Sequence, residues 1–474
     1  MRKLRLPVLV FLLLLVSVGY AAQTLGIVAK PGDLVASAET PTPSAADRSP
    51  STANAQVAVV QSTARSAYDI SYEEVESMVR EAIALAGGLE SVVKDGDVVV
   101  LKPNLVGLSD LAGLSDSGNP IAEANGVTTD WRVTAAVAKL VRELNPSGTI
   151  YVMEGSALSS TQYMMNLMEY TPDTMPWVDE FIAIEKDSGR WHEYNSEALV
   201  KVQVPQARLN DEYYVNRRFF EADVVISISC LKTHDVGVVT GGIKNLGIGA
   251  TPANIYGNSL AEIGRWNVIP HDENLHKWVA DYYRCRPADF VVLDGLQGVQ
   301  NGPNPRPIER NQMNMRLIIA GKDAVATDTV AALIMGWDPQ SVQHLVYLSR
   351  SGCGIMDPSK IDVLGSRVDQ VRKFFAGGGT KTGGRVIPDK GTQSFSIAKS
   401  EVSDGTLDLS LDTSSGIVKV EVLVDGKLLA SARSDFSSIP VDLSGLGPGE
   451  HDVTVRAYDR YLYSTEKSIP VRLM

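Results

Sequence analysis

The chain has 474 residues, 44% of them apolar and 21% charged, and a formal net charge of −12. That length exceeds one ordinary domain and points to about three units. The apolar share can fill buried cores, the charged share excludes global disorder, and an acidic chain without a basic stripe excludes a nucleic-acid partner.

Arg2, Lys3 and Arg5 precede an almost purely apolar run from Val8 to Val18, and Gly19-Tyr20-Ala21 ends it on a small residue. This is the pattern of an export signal over residues 1–21, cleaved after Ala21. The run falls short of the roughly 20 residues a membrane span needs. The expected location is periplasmic, cell-surface or secreted, with membrane contact only through the N-terminal segment, as a tether if the signal stays uncleaved. No Cys follows the run, so lipid attachment is not expected. Residues 22–56 include ETPTPSAADRSPSTANAQ, which cannot bury enough area to offset its ordering entropy, and they are predicted to form a disordered tether.

Ordered structure is predicted from Val57, with a strand to Gln61. Ser71 and Glu74 have capping-box spacing ahead of a helix whose apolar positions are Val75, Met78, Val79 and Ile83. Asp97 to Leu101 reads as a strand stopped by Pro103. Asp130 caps a helix with Val133, Val137, Leu140, Val141 and Leu144 on one face, and Thr149 to Met153 is the next strand. Asp223 to Ser229, Phe290 to Leu293 and Leu317 to Ala320 are continuous apolar runs of the kind buried parallel strands require, and Ala324 to Met335 reads as a helix opened by Asp323. This alternation predicts an α/β fold over residues 57–375: a multi-strand, largely parallel sheet with helices on both faces.

Ala376 to Gly384 (AGGGTKTGG) opens a predicted flexible hinge over residues 376–400. Beyond it the pattern changes to short strands at Leu407 to Leu411, Val418 to Val424, Lys427 to Ala432, Ile439 to Leu443 and His451 to Ala457. Asp425-Gly426 is a two-residue hairpin signal. Residues 401–474 therefore read as a small all-β, Ig-like sandwich. Cys230, Cys285 and Cys353 could form one disulfide with a thiol left over, or serve as three small buried hydrophobes. No C-x-x-C spacing occurs, so no iron–sulfur cluster is expected.

Candidate chemistry lies at predicted strand ends, where α/β sheets place their sites. Cys230-Leu-Lys-Thr-His234 leaves a buried strand and leads to Thr240-Gly-Gly-Ile-Lys244. Gly241 and Gly242 would let backbone N–H groups approach an anion, beside the charge of Lys244 and the titratable His234. A tight turn with a solvated Lys244 is the plain structural alternative. Lys102-Pro-Asn104 ends another strand, and both flanking side chains could enter the same crevice. Asp294, again at a strand end, could bind a cation, orient a His or cap a turn. Asp328 sits in the first turns of a helix without an obvious capping role. His271 and His276, five apart, and His192, His344 and His451 read as structural or exposed.

The phrases VVVLKPNLV, GVTTDWRVTAAVAKLV, ADVVISISCLKTH, TGGIKNLGIG, DFVVLDGLQGVQNGP and IIAGKDAVATDTVAALIMGWDP together resemble the domain of unknown function 362 family over roughly Val57 to Phe375. Many members carry ferredoxin-type cysteine clusters, which this chain lacks. A more distant similarity is to the nickel-dependent lactate racemase family, which has a His followed ten residues later by a Lys in a Gly-Gly-x-Lys loop, as in His234 and Gly241-Gly242-Ile243-Lys244. That resemblance implies a Lys holding a nickel–pincer nucleotide and a His serving the metal or proton transfer. It fails at Glu154-Gly155-Ser156, where the racemases carry Gly-Thr-His.

The expected function is an extracytoplasmic enzyme or cofactor-binding protein that takes a small-molecule or anionic ligand. His234 would be general base or metal ligand, Lys232 and Asp294 would assist, and Lys244, Gly241, Gly242, Lys102 and Asn104 would hold the ligand. The cofactor is left open between a metal and a nucleotide-type group. The alternative is a non-catalytic envelope-surface binding protein that contacts the cell envelope through its Ig-like module.

Overall fold

A computed structural model describes residues 54–187, 194–257 and 264–473. The expected export signal, nearly all of the expected tether and His192 lie outside the described residues. The first region has strands β1 (Ala55–Gln61), β2 (Val98–Lys102), β3 (Thr149–Glu154), β4 (Glu180–Ala183), β5 (Leu199–Gln203), β6 (Glu212–Asn216), β7 (Val224–His234), β8 (Val238–Val239), β9 (Phe290–Val299), β10 (Leu317–Gly321) and β11 (Ile361–Gly365). The helices that frame it are α1 (Tyr72–Leu85), α2 (Trp131–Leu144), α3 (Gly241–Gly249), α4 (Leu275–Cys285), α5 (Ala324–Ile334) and α6 (Gln343–Arg350).

The main sheet runs β11-β1-β10-β9-β7-β2-β3-β4, with β8 folded back on the end of β7, and β5 and β6 pair separately. Along the main path only β10 runs against its neighbours. The period-2 alternation of strand side chains divides the core in two. Val99, Leu101, Ile226 and Val292 face α1 and α2, while Val100, Val225, Val291 and Leu293 face α3, α4, α5 and α6. Every residue of β7 and β9 is buried, which is why their first stretches, Val224 to Ser229 and Phe290 to Leu293, read as apolar runs.

Local chemistry sets the helix starts as the sequence predicts. The Ser71 hydroxyl accepts from the Glu74 N–H at 3.3 Å, Asp130 accepts from the Arg132 N–H at 2.9 Å, and Asp323 accepts from the Ala326 N–H at 3.0 Å. The reciprocal half of the capping box is replaced, because Glu74 accepts from the Ser62 hydroxyl.

The C-terminal region has strands β12 (Phe395–Ser403), β13 (Thr406–Thr413), β14 (Ile417–Val424), β15 (Lys427–Ala432), β16 (Ile439–Asp442), β17 (Gly449–Asp459) and β18 (Ser464–Leu473). They form two antiparallel sheets, β12-β13-β16 and β15-β14-β17-β18, packed over one apolar core as an Ig-like sandwich. Asp425 and Gly426, at φ 49° and 81°, make the hairpin between β14 and β15.

The segment expected to be a hinge is laid against the α/β region. The Gly379 N–H donates to the His234 carbonyl at 2.9 Å, the Lys381 N–H to the Asp235 carbonyl at 3.0 Å, and the Thr382 hydroxyl to the Val236 carbonyl. A Cβ on Gly378 would stand 2.7 Å from the Trp337 ring, so this glycine is needed for close approach. All three cysteines are free; Cys230 and Cys285 are buried and Cys353 is half-buried. Among the described residues no helix is long and apolar enough to cross a membrane.

Candidate active site

The carboxyl ends of β2, β3 and β7, together with α3, surround a cavity of about 140 Å³. Its polar wall includes Asn104, Glu154, Lys232, His234, Lys244 and Arg265, and Val106, Leu158, Ile248 and Trp266 supply apolar surface. Lys102 stands behind this wall. Its ammonium is fully buried and donates to Glu154 at 2.8 Å, to the Pro103 carbonyl at 2.7 Å and to Asn245 at 3.3 Å. Glu154 also accepts from the N–H groups of Leu105 and Gly155. Lys102 therefore neutralises and orients Glu154, and Glu154 is the group of the pair that meets the cavity.

The remaining cations have no such partner. Lys232 donates to Asn104 Oδ1 at 3.0 Å and to the Val127 carbonyl. Arg265 donates to the carbonyls of Gly155, Gly257 and Ile248. Lys244, only 8% exposed, has neither a hydrogen bond nor an ion pair with any described residue. Burial lowers the pKa of all three, and burial together with Lys232 brings Lys244 to about 7. The Thr240 hydroxyl on the same wall is buried without a hydrogen-bond partner among the described residues.

His234 is fixed by its own loop. Its Nδ1 accepts from the N–H groups of Val236 and Gly237, both at 3.1 Å. The ring proton therefore sits on Nε2. Burial and the nearby Lys244 hold the ring neutral, with a pKa of about 3, so the 3.2 Å approach of Asp235 to Nδ1 is not an ion pair.

Residues 99–333 match the family model described as Domain of unknown function (DUF362). The α/β unit is a DUF362 domain. The thylakoid-associated protein sll1697 of Synechocystis sp. (strain ATCC 27184 / PCC 6803 / Kazusa) is 26% identical over 276 residues, which cover 58% of this chain and 74% of that protein. Among solved structures, the lactate racemase apoprotein from Thermoanaerobacterium thermosaccharolyticum aligns at 13% identity and a TM-score of 0.32, over 57% of this chain and 54% of that one. Clostridium thermocellum CbhA fibronectin(III)-like modules align at 25% identity and a TM-score of 0.13, over 14% of this chain and 75% of that one.

Several expected site residues of the DUF362 domain have other work. Gly241 and Gly242 do not line the cavity. The N–H groups of Gly242 and Ile243 donate to Asp328 at 2.8 and 3.0 Å, so the α3 N-terminus is closed by a protein carboxylate. A Cβ on Gly241 would meet that carboxylate at 2.5 Å, and Gly241 has φ 61°. Asp294 does not line the cavity. It lies within β9 rather than at its end, accepts from the N–H groups of Asp130 and Leu296, both at 2.9 Å, and so ties the start of α2 to β9. Burial raises Asp328 and Asp294 to about 7, with Asp130 adding to the rise at Asp294.

The cofactor implied by the racemase resemblance needs an anchoring amine and a ring lone pair. Lys244 fits the first requirement. His234 does not fit the second, because two amides occupy Nδ1 and the proton occupies Nε2. His234 thus presents a donor where the sequence predicts a general base or metal ligand. Among the described residues no cluster of three or more His, Cys, Asp or Glu is placed to hold a metal ion.

His276 and His344, read singly from the sequence as structural or exposed, form a buried pair with rings 5.1 Å apart and Nδ1 atoms at 2.9 Å. Sequence reasoning missed Arg265, Asn245 and the cavity role of Glu154. Asn245 joins Lys102 to Asn104 through its Oδ1, and its Nδ2 donates to the Lys102 carbonyl. Glu154 has a signal as a carboxylate at a strand end, whereas Arg265 reaches the cavity from a single 3₁₀ turn (Arg265–Asn267) with no motif.

Proposed function

We propose that the DUF362 domain is an extracytoplasmic enzyme domain whose cavity binds a small organic anion. The observation that carries this reading is the set of three buried cations, Lys232, Lys244 and Arg265, around one cavity with no described carboxylate bonded to them. An uncompensated buried charge costs several kcal/mol, and a bound carboxylate or phosphate would offset that cost. Arg265 and Lys232 supply donors suited to anion oxygens. The N-terminal signal pattern supports export to a periplasm, cell surface or medium, and the C-terminal sandwich offers a surface for envelope contact.

Thermal unfolding of the mature protein with pyruvate, oxalate or phosphate, each against chloride at equal ionic strength, tests the binding reading. A ligand at a hundred times its Kd adds about 2.7 kcal/mol of stability. Lys232→Met should abolish that increment. If none of the three anions stabilises the protein beyond chloride, the reading is wrong.

A further inference from the structure

We propose that Lys244 forms a covalent imine with a small 2-oxo acid whose carboxylate is held by Lys232 and Arg265. The inference rests on the anion-binding reading and names its substrate class. Lys232 and Arg265 already supply fixed positive charge on the cavity wall, held by carbonyls and an amide oxygen. A third cation with no partner is redundant for charge alone, and an amine with a free lone pair is not. The Lys244 stem is held in place: a Cβ added to Gly237 would lie 3.1 Å from its Cδ, and Gly237 itself belongs to the loop that fixes His234.

The size of the cavity agrees. At about 140 Å³ it is close to the roughly 150 Å³ cavity that takes up benzene, a ring of six heavy atoms. Pyruvate likewise has six heavy atoms, by its formula, and larger 2-oxo acids can extend toward Leu158 and Trp266, which are 38% and 48% exposed. Lysines made nucleophilic by desolvation beside another cation are the general basis of Schiff-base chemistry. With Lys244 at about 7, about half of it is neutral at pH 7, against roughly one in 2,500 for an ordinary lysine. The Thr240 hydroxyl and His234 Nε2–H are neutral donors on the same wall for the carbonyl oxygen.

The step balances without a further reagent. Nζ attacks the carbonyl carbon, the N–C bond forms, and the C–O bond breaks. The two amine hydrogens leave with the carbonyl oxygen as one water. The full mature chain is incubated with pyruvate and cyanoborohydride, then measured by intact mass and peptide mapping. The expected result is one reduced pyruvyl adduct, at Lys244, forming faster as pH rises through about 7 and suppressed by excess oxalate. Lys244→Arg should lose the adduct. Should that variant fail to fold, oxalate suppression in the wild type decides instead. Labelling spread over surface lysines, or unaffected by oxalate, overturns the inference. Stabilisation by pyruvate without any adduct overturns the imine and leaves the anion-binding reading standing. The absence of stabilisation by pyruvate, oxalate and phosphate alike overturns both.

Discussion

The two ordered regions treat charge in opposite ways. The sandwich core is hydrocarbon, built on residues such as Leu407, Val420, Val422, Val453 and Val455. Its buried ionic pair, Lys419 and Glu421 at 2.8 Å, lies on the side toward the DUF362 domain, where Lys419 also approaches Asp362 at 3.6 Å. The DUF362 domain instead buries Lys102, Lys232, Lys244, Arg265, Asp294 and Asp328. Burial alone does not separate site from scaffold among these six. Lys102 is matched by Glu154, and Asp294 and Asp328 are matched by backbone N–H groups, so they hold the fold together. Only the three cations at the cavity lack a bonded carboxylate, and that mismatch is what points to a ligand.

The largest effect should come from breaking the matched set. Glu154→Ala strands the Lys102 ammonium at zero exposure and releases the Leu105 and Gly155 amides. The expected loss is about 3–5 kcal/mol in denaturant unfolding, the range for removing one partner of a buried pair. The double variant Lys102→Met, Glu154→Leu should recover much of it. If Glu154→Ala costs less than about 1 kcal/mol, Lys102 is not dependent on that carboxylate, and the division into matched and unmatched charges fails.

Next in size is a pH effect. Asp328 is raised to about 7 in the folded protein from an ordinary value near 3.8. Between those values the folded state binds the extra proton. Its contribution is full below about 3.8 and is lost as pH rises through about 7. The buried rings of His234 and His276, lowered to about 3 and about 4, act in the opposite sense and cost stability as pH falls below about 6.5. Asp328→Asn keeps the size of the side chain, removes the titration, and gives up one of the two oxygens that accept from Gly242 and Ile243, a cost that does not vary with pH. Its stability deficit relative to wild type should therefore grow by about 2 kcal/mol between pH 7 and pH 5. Parallel pH profiles for the two proteins would show that Asp328 titrates normally.

The same distinction explains what could be read from the sequence. The succession of elements along the chain follows from local signals: apolar runs for β7, β9 and β10, and caps at Ser71, Asp130 and Asp323. The strand-end rule located Lys232, His234, Lys244 and Asn104 in one cavity, because all four lie at or beyond the carboxyl ends of buried strands. It failed for Gly241, Gly242 and Asp294, since a glycine-rich helix start looks the same in sequence whether a ligand or Asp328 accepts its amides. Asp328, eighty-odd positions away in the chain, is the deciding residue. Arg265 has no local signature at all. The glycines at 376–384 look flexible in the sequence because close approach and flexibility call for the same residue.

The smallest effect lies where the two regions meet. Arg433 of the sandwich donates to Asp362 at 2.6 Å and to the Ser359 carbonyl at 2.9 Å, while Asp369 accepts from the Ser464 hydroxyl and N–H. Tyr458 and Leu462 are buried with the main core, so apolar packing shares the contact. Arg433 and Asp362 are each about a quarter exposed, which screens their attraction. Arg433→Ala should therefore cost no more than about 1 kcal/mol, and the cost should shrink as salt rises. Scanning calorimetry should still show the sandwich and the DUF362 domain unfolding together. A split into two transitions on this single change would mean that one ion pair, rather than the packing around Tyr458 and Leu462, couples the regions.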